Sequence, residues 1–151
     1  MPEGKVILQD LLMIKILAVE DNKAIVDFYF EFFTDFGYEV QTAEDAGTAI
    51  QKQQSFHADI MILDLDIPGG GGIYVYDTVR NKMKDNVPII FSTGKPEKLA
   101  ELRGLSNVSS LGKPTPPEKL IAEVQRLAGT KKMPQADPGF APPPPPPGPK
   151  K

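Results

Sequence analysis

Two rhythms of apolar and polar positions alternate along the chain. Short runs of strand length lie at 14–19, 38–42, 60–64, 87–91 and 108–111, and most are apolar at consecutive positions. Between them, apolar residues recur three or four apart, as on one face of a helix, over 23–36, 45–55, 73–84, a weak and short 95–105, and 118–128. A strand that is apolar at every position rather than every second one is buried on both faces, as in a parallel sheet covered by helices. Five β–α repeats in this order predict an α/β fold, a doubly wound five-stranded parallel sheet with five helices, the fourth of them short.

The punctuation supports these elements. Asn22 stands where the first helix needs an N-cap, and Gly37 where it needs a C-terminal glycine. Ile25, Phe28, Tyr29, Phe32 and Phe36 form its expected buried stripe. Val26 lies at the border and Phe30 well off it, an apolar edge available to a partner. Glu44 or Asp45 opens the second helix, and His57 falls in the loop before the central strand. That strand ends in Asp64 and is followed by Pro68 and Gly69 to Gly72, which keep side chains off the strand's exit and let the backbone turn sharply into a helix. Gly129 stops the last helix, whose stripe is Leu120, Ile121, Val124 and Leu127. The compact unit is expected to span 14–129, with 1–13 as a loosely attached N-terminal extension. Nine of the sixteen prolines lie in the last 22 residues, six of them consecutive at 142–147, so 130–151 is expected to be a disordered, polyproline-rich tail, dispensable for any site; a solubilising role is the first reading and a ligand for an aromatic-lined groove the second.

Composition narrows the chemistry. With no cysteine there is no disulfide or thiolate metal site, and a single histidine, His57, rules out a histidine metal cluster and argues against a His-based catalytic triad. The net charge of −3 is uneven: four lysines and one aspartate after residue 129 carry +3, which leaves −6 for the rest. An acidic domain is a poor partner for nucleic acid. No apolar run reaches membrane-spanning length and the start resembles no signal peptide, so a cytoplasmic location without membrane contact is expected.

Chemistry-bearing residues fall at strand ends, where open α/β sheets bind ligands. The first strand ends in Glu20-Asp21, the third in Asp64, the fourth in Thr93, and Lys113 follows the fifth. Were the first and third strands neighbours, three carboxylates would crowd together, a donor set suited to a hard divalent cation such as Mg²⁺. A hydroxyl and a lysine beside them describe phosphoryl transfer to a carboxylate.

Over residues 14–129 the sequence resembles the receiver domain of two-component response regulators. The resemblance rests on Val19-Glu20-Asp21-Asn22, Leu63-Asp64-Leu65-Asp66-Ile67-Pro68, Ser92-Thr93-Gly94 and Lys113-Pro114, in order, with spacings of 43, 29 and 20 residues from Asp21 to Asp64, Thr93 and Lys113 in turn. It implies a flavodoxin-like strand order 2-1-3-4-5 and a stand-alone, chemotaxis-receiver-like protein. Asp64 would be the phosphoacceptor. Glu20, Asp21, Asp64 and the Asp66 backbone carbonyl would hold Mg²⁺, Thr93 would sense the phosphoryl group, Lys113 would pair with it, and the Lys113–Pro114 bond would be cis. The donor would be a histidine kinase or phosphotransfer protein, docking on the first helix. The chain would act as a phosphoacceptor in a phosphorelay rather than as a turnover enzyme, its output a contact with a downstream protein. Two departures stand out. Ser110 occupies the position, three before the lysine, where the family often has an aromatic switch, and Gly71-Gly72 replaces a frequent Asp-Gly pair. Two other readings remain: a small phosphatase of haloacid dehalogenase type using the Asp64/Asp66 pair, and a pseudo-receiver that keeps the fold as a scaffold.

Overall fold

The computed structural model describes residues 13–129. The expected tail, and all of the expected N-terminal extension except Met13, lie outside the described residues. The elements run β1 (Lys15–Val19), α1 (Lys23–Asp35), β2 (Glu39–Ala43), α2 (Ala46–Phe56), β3 (Ile60–Asp64), α3 (Gly71–Asp77), β4 (Ile89–Thr93), α4 (Pro96–Leu102, wound as a 3₁₀ helix), β5 (Val108–Gly112) and α5 (Pro117–Ala128). All strand pairs are parallel, in the order β2-β1-β3-β4-β5. Strands β3 and β4 are buried at every position, as their unbroken apolar runs require.

Successive strand side chains point to opposite faces, so the core has two halves. Leu17, Val19, Met61, Leu63 and Phe91 face α2 and α3, whereas Ile16, Ala18, Ile60, Ile62 and Ile90 face α1 and α5. The α5 stripe packs as expected, with Leu120 and Val124 fully inside. Asn22 caps α1 by accepting from the Ile25 N–H, and Asp45 caps α2 by accepting from the Thr48 N–H at 2.8 Å. Gly37 has φ of +93°, and the Tyr38 N–H reaches back to the Phe33 carbonyl, closing α1 with a left-handed glycine turn.

Three details differ from the sequence pattern. In α1 the buried residues are Val26, Tyr29 and Phe33, while Phe28, Phe30 and Phe36 are exposed and Ile25 and Phe32 only half-buried. The expected stripe was therefore turned by about one residue, or roughly 100° of helix. Beyond α3 the backbone widens into a π turn at Thr78–Lys82, which presents Arg80 to two loops. Its guanidinium lies over the Tyr76 ring and donates to the carbonyls of Asp85, Val87, Ser106 and Asn107. The Val87 N–H donates to Asp85 instead of joining the sheet, so β4 starts at Ile89 rather than at 87. Helix α4 buries no residue, which matches the weak pattern there. No helix among the described residues is long and apolar enough to cross a membrane.

Candidate functional site

The register of β1 on β3 pairs Val19 with Leu63, so the next residue of each strand, Glu20 and Asp64, emerges side by side at the carboxyl edge of the sheet. Both are buried. Asp21, one residue further on, is exposed, yet Glu20, Asp21 and Asp64 each bring one oxygen within 4.8 Å of the others. Two carboxylates taken out of water beside each other repel strongly unless a cation joins them. Lys113 does so from the end of β5: its Nζ lies 2.7 Å from Glu20 Oε1 and 3.2 Å from Asp64 Oδ2. The Asn22 N–H holds the other Glu20 oxygen at 3.1 Å, and the Asp66 N–H holds Asp64 Oδ1 at 3.1 Å.

The electrostatics follow from this packing. Burial pushes the Glu20 carboxyl above its ordinary range; Lys113 and the Asn22 N–H pull it back, and the Asp64 charge adds to the rise. Burial also opposes charging Lys113, but Glu20 and Asp64 together outweigh it and hold the ammonium above its ordinary pKa. Thr93 is buried at the end of β4, where its hydroxyl accepts from the Lys95 N–H at 3.0 Å. The Lys113–Pro114 bond is cis. An open cleft of about 440 Å³, lined by Glu20, Asp21, Asp64, Asp66, Lys95 and Lys113 among others, gives access to the cluster.

The glycines clear this edge. A Cβ on Gly72 would lie 2.6 Å from the Asp64 carbonyl oxygen and 3.0 Å from Leu65 Cα, so α3 can start against the strand exit only without a side chain there. Gly70, at φ of +131°, supplies the turn before it.

A model of the response regulator receiver domain matches residues 16–125. The chain belongs to the response regulator receiver family. The receiver domain is 37% identical over 112 residues to the transcriptional regulatory protein YrkP of Bacillus subtilis, an overlap of 73% of this chain and 47% of that protein. It is 28% identical over 116 residues to the phosphate regulon transcriptional regulatory protein PhoB of Escherichia coli, covering 75% of this chain and 51% of PhoB. The chain thus spans about half the length of the curated relatives it matches. Among solved structures, the chemotaxis response regulator CheY4 of Vibrio cholerae superposes with a TM-score of 0.71 at 34% identity, over 76% of this chain and 98% of that one.

Within the receiver domain, the fold gathers Glu20, Asp21, Asp64 and Lys113 into one cluster and sets Thr93 at the same sheet edge. Asp66 lines the same cleft, but its carboxylate stays outside the cluster of three. That group pairs with Lys98 at 2.8 Å and Lys95 at 3.5 Å, and Lys98 above all holds its pKa below the ordinary carboxylate range. Asp64 and Asp66 therefore do not form an acid pair of the phosphatase kind. Ser110 is exposed on β5, with no aromatic to turn inward. The sequence reading missed Tyr29, taken as a plain core residue. Burial above all raises its phenol's pKa, and the buried ring lines the groove that Lys113 and Pro114 border, next to the site. Tyr29 lies four residues, about one helical turn, beyond Ile25, whose N–H meets the Asn22 cap, so it belongs to the part of α1 nearest the strand ends.

Proposed function

We propose that this receiver accepts a phosphoryl group on Asp64 from a histidine kinase or phosphotransfer protein and passes the signal on by contact with another protein. The observation that carries the reading is the junction of Glu20, Asp21 and Asp64 within 4.8 Å at the carboxyl edge of the sheet, where the Lys113 ammonium at the end of β5 joins Glu20 to Asp64. In the step proposed, an Asp64 carboxylate oxygen attacks phosphorus and the P–N bond of the donor's phosphohistidine breaks. The departing imidazole nitrogen keeps the bonding pair and takes a proton from water. The barrier is largely electrostatic, because an anion approaches an anion in a partly desolvated cleft. Lys113, already beside Asp64, stabilises the charge that arrives. The Thr93 hydroxyl spends only its acceptor side on Lys95 and keeps its proton to donate to a phosphoryl oxygen.

Receiver domains bind Mg²⁺ at an acidic site, and three clustered carboxylates with hard oxygen donors fit that ion. Glu20, Asp21, Asp64 and the Asp66 carbonyl would hold it, and when bound it supplies positive charge against the phosphoryl oxygens. The proposal assigns 14–129 to the receiver, 1–13 to an extension and 130–151 to a tail, places the chain in a cytoplasmic phosphorelay, and gives it the role of phosphoacceptor rather than turnover enzyme.

The test is intact-mass measurement after incubation with Mg²⁺ and acetyl phosphate. The wild-type chain is expected to gain one phosphoryl group that hydroxylamine removes, and Asp64→Asn or a chelator to abolish the gain. Phosphate uptake by Asp64→Asn at the wild-type rate would sink the assignment. Donor hydrolysis without retained phosphate would instead mark a phosphatase, and neither event a scaffold.

A further inference from the structure

Because Val26, Tyr29 and Phe33 take the core face of α1, its other aromatics form a ridge on the surface. Phe28 and Phe32 stack at 5.1 Å between ring centroids, and Phe32 meets Phe36 edge-on, also at 5.1 Å. Phe28 is 38% exposed and Phe36 50%. At the Phe28 end the ridge runs into a mostly apolar groove of about 470 Å³ lined by Ala24, Ile25, Lys113, Pro114, Thr115 and Leu120. One helical position away lies a parallel line of acids, Asp27, Glu31 and Asp35, all on the exposed side.

At its other end the ridge lies near the point where the described chain stops. The Tyr38 hydroxyl donates to the Gly129 carbonyl at 3.2 Å, and the Tyr38 ring meets Phe33 of α1 edge-on. The 22 residues after Gly129 hold six consecutive prolines, four lysines and one aspartate. Consecutive prolines favour the polyproline II helix, which aromatic-lined grooves recognise.

We propose that the chain's own segment 142–147 docks on this aromatic ridge, running back from the end of α5 along α1 toward the groove at Pro114. The lengths agree. Phe36 to Ile25 spans about 17 Å of helix, and six prolines in polyproline II span about 19 Å. The twelve residues between Gly129 and Pro142 can reach up to ~40 Å, more than enough to turn the chain back. The charges agree as well: Lys131, Lys132, Lys150 and Lys151 bracket the prolines and meet the acid line of α1. Docked there, the segment takes the exposed apolar face of α1. The inference goes beyond the phosphoacceptor reading and does not depend on it.

The chain has no cysteine, so Gly148→Cys gives a single attachment point for a nitroxide label on the full chain. In ¹⁵N spectra of that chain, amide signals of residues 28–36 are expected to fall at least twofold relative to the same sample with the nitroxide reduced. Those of α2, on the opposite face of the sheet, are expected to hold. Replacing prolines 142–147 with serine, which leaves residues 13–129 untouched, is expected to restore the α1 signals, and Phe36→Ser to restore them in part. Broadening that survives the serine replacement overturns the proposal. So does broadening found only when labelled chain is mixed with ¹⁵N chain, which would make the occupant a second copy. An α1 left unbroadened would assign the ridge to a separate protein and also end the proposal.

Discussion

Lys113→Met gives the sharpest test of how the acidic cluster is held. The substitution removes the ammonium and keeps an apolar stem in the half-buried channel. Two charge-assisted contacts disappear, at 2.7 Å to Glu20 and 3.2 Å to Asp64, each of a kind that contributes about 1.5–3 kcal/mol. Two effects offset part of that loss. The lysine's own desolvation is no longer needed, and Glu20 can escape by taking a proton. The expected deficit in chelator at pH 8 is therefore about 3 kcal/mol, or roughly 10 °C in Tm for a domain of this size.

The pH dependence has a definite sign. The folded-state pKa of Glu20 already stands above its ordinary 4.5, and losing Lys113 raises it further. A carboxyl raised on folding costs stability above its folded pKa, and that cost vanishes as pH falls below the unfolded value. The pKa of Lys113, raised by its partners, keeps the wild-type ammonium charged throughout this range; its contribution is lost only as pH rises through that folded pKa. The deficit of the variant should thus shrink between pH 8 and pH 5. Urea unfolding of both proteins at the two pH values measures it. An equal deficit at both, or one under about 1 kcal/mol at pH 8, would refute the view that Lys113 neutralises this pair.

Other perturbations probe the surrounding geometry. Gly72→Ala places a methyl group against the Asp64 carbonyl and Leu65, so it is expected to cost about 1–3 kcal/mol in urea unfolding and to slow acetyl phosphate labelling by shifting the strand exit. Lys98→Ala frees the Asp66 carboxylate from its nearest partner and α4 from its tie to the β3 exit. Hydrogen exchange is expected to quicken over 95–105, while the global unfolding midpoint stays within error. Phe30 is 48% exposed on α1 and off the stacked ridge. If that helix docks the phosphodonor, Phe30→Ser slows transfer from the donor protein and leaves labelling by acetyl phosphate unchanged; equal loss with both donors would discard the docking idea.

Much of this protein is legible in its residues alone. Unbroken apolar runs ending in Glu20-Asp21, Asp64 and Thr93 announce buried parallel strands, because only a sheet covered on both faces can use such runs. Asn22, Asp45, Gly37 and Gly129 mark helix ends through local hydrogen bonding, which needs no tertiary partner. What the chain does at longer range was settled only by packing. Helix α1 carries apolar side chains at 25, 26, 28, 29, 30, 32, 33 and 36, so several stripes were equally good on paper. Contact with the sheet and with Tyr38 chose Val26, Tyr29 and Phe33, and in doing so made a surface ridge of Phe28, Phe32 and Phe36. Asp66 sits two residues from Asp64 and reads as its partner in a phosphatase pair, yet Lys98 of α4 and Lys95 just before it pair with its carboxylate instead. Arg80, unremarkable in sequence, is placed by a π turn where four carbonyls from two loops converge. Periodicity and caps are short-range properties that a sequence carries in itself. Which face is buried, and which charge pairs with which, depends on groups far along the chain that only the folded backbone brings together.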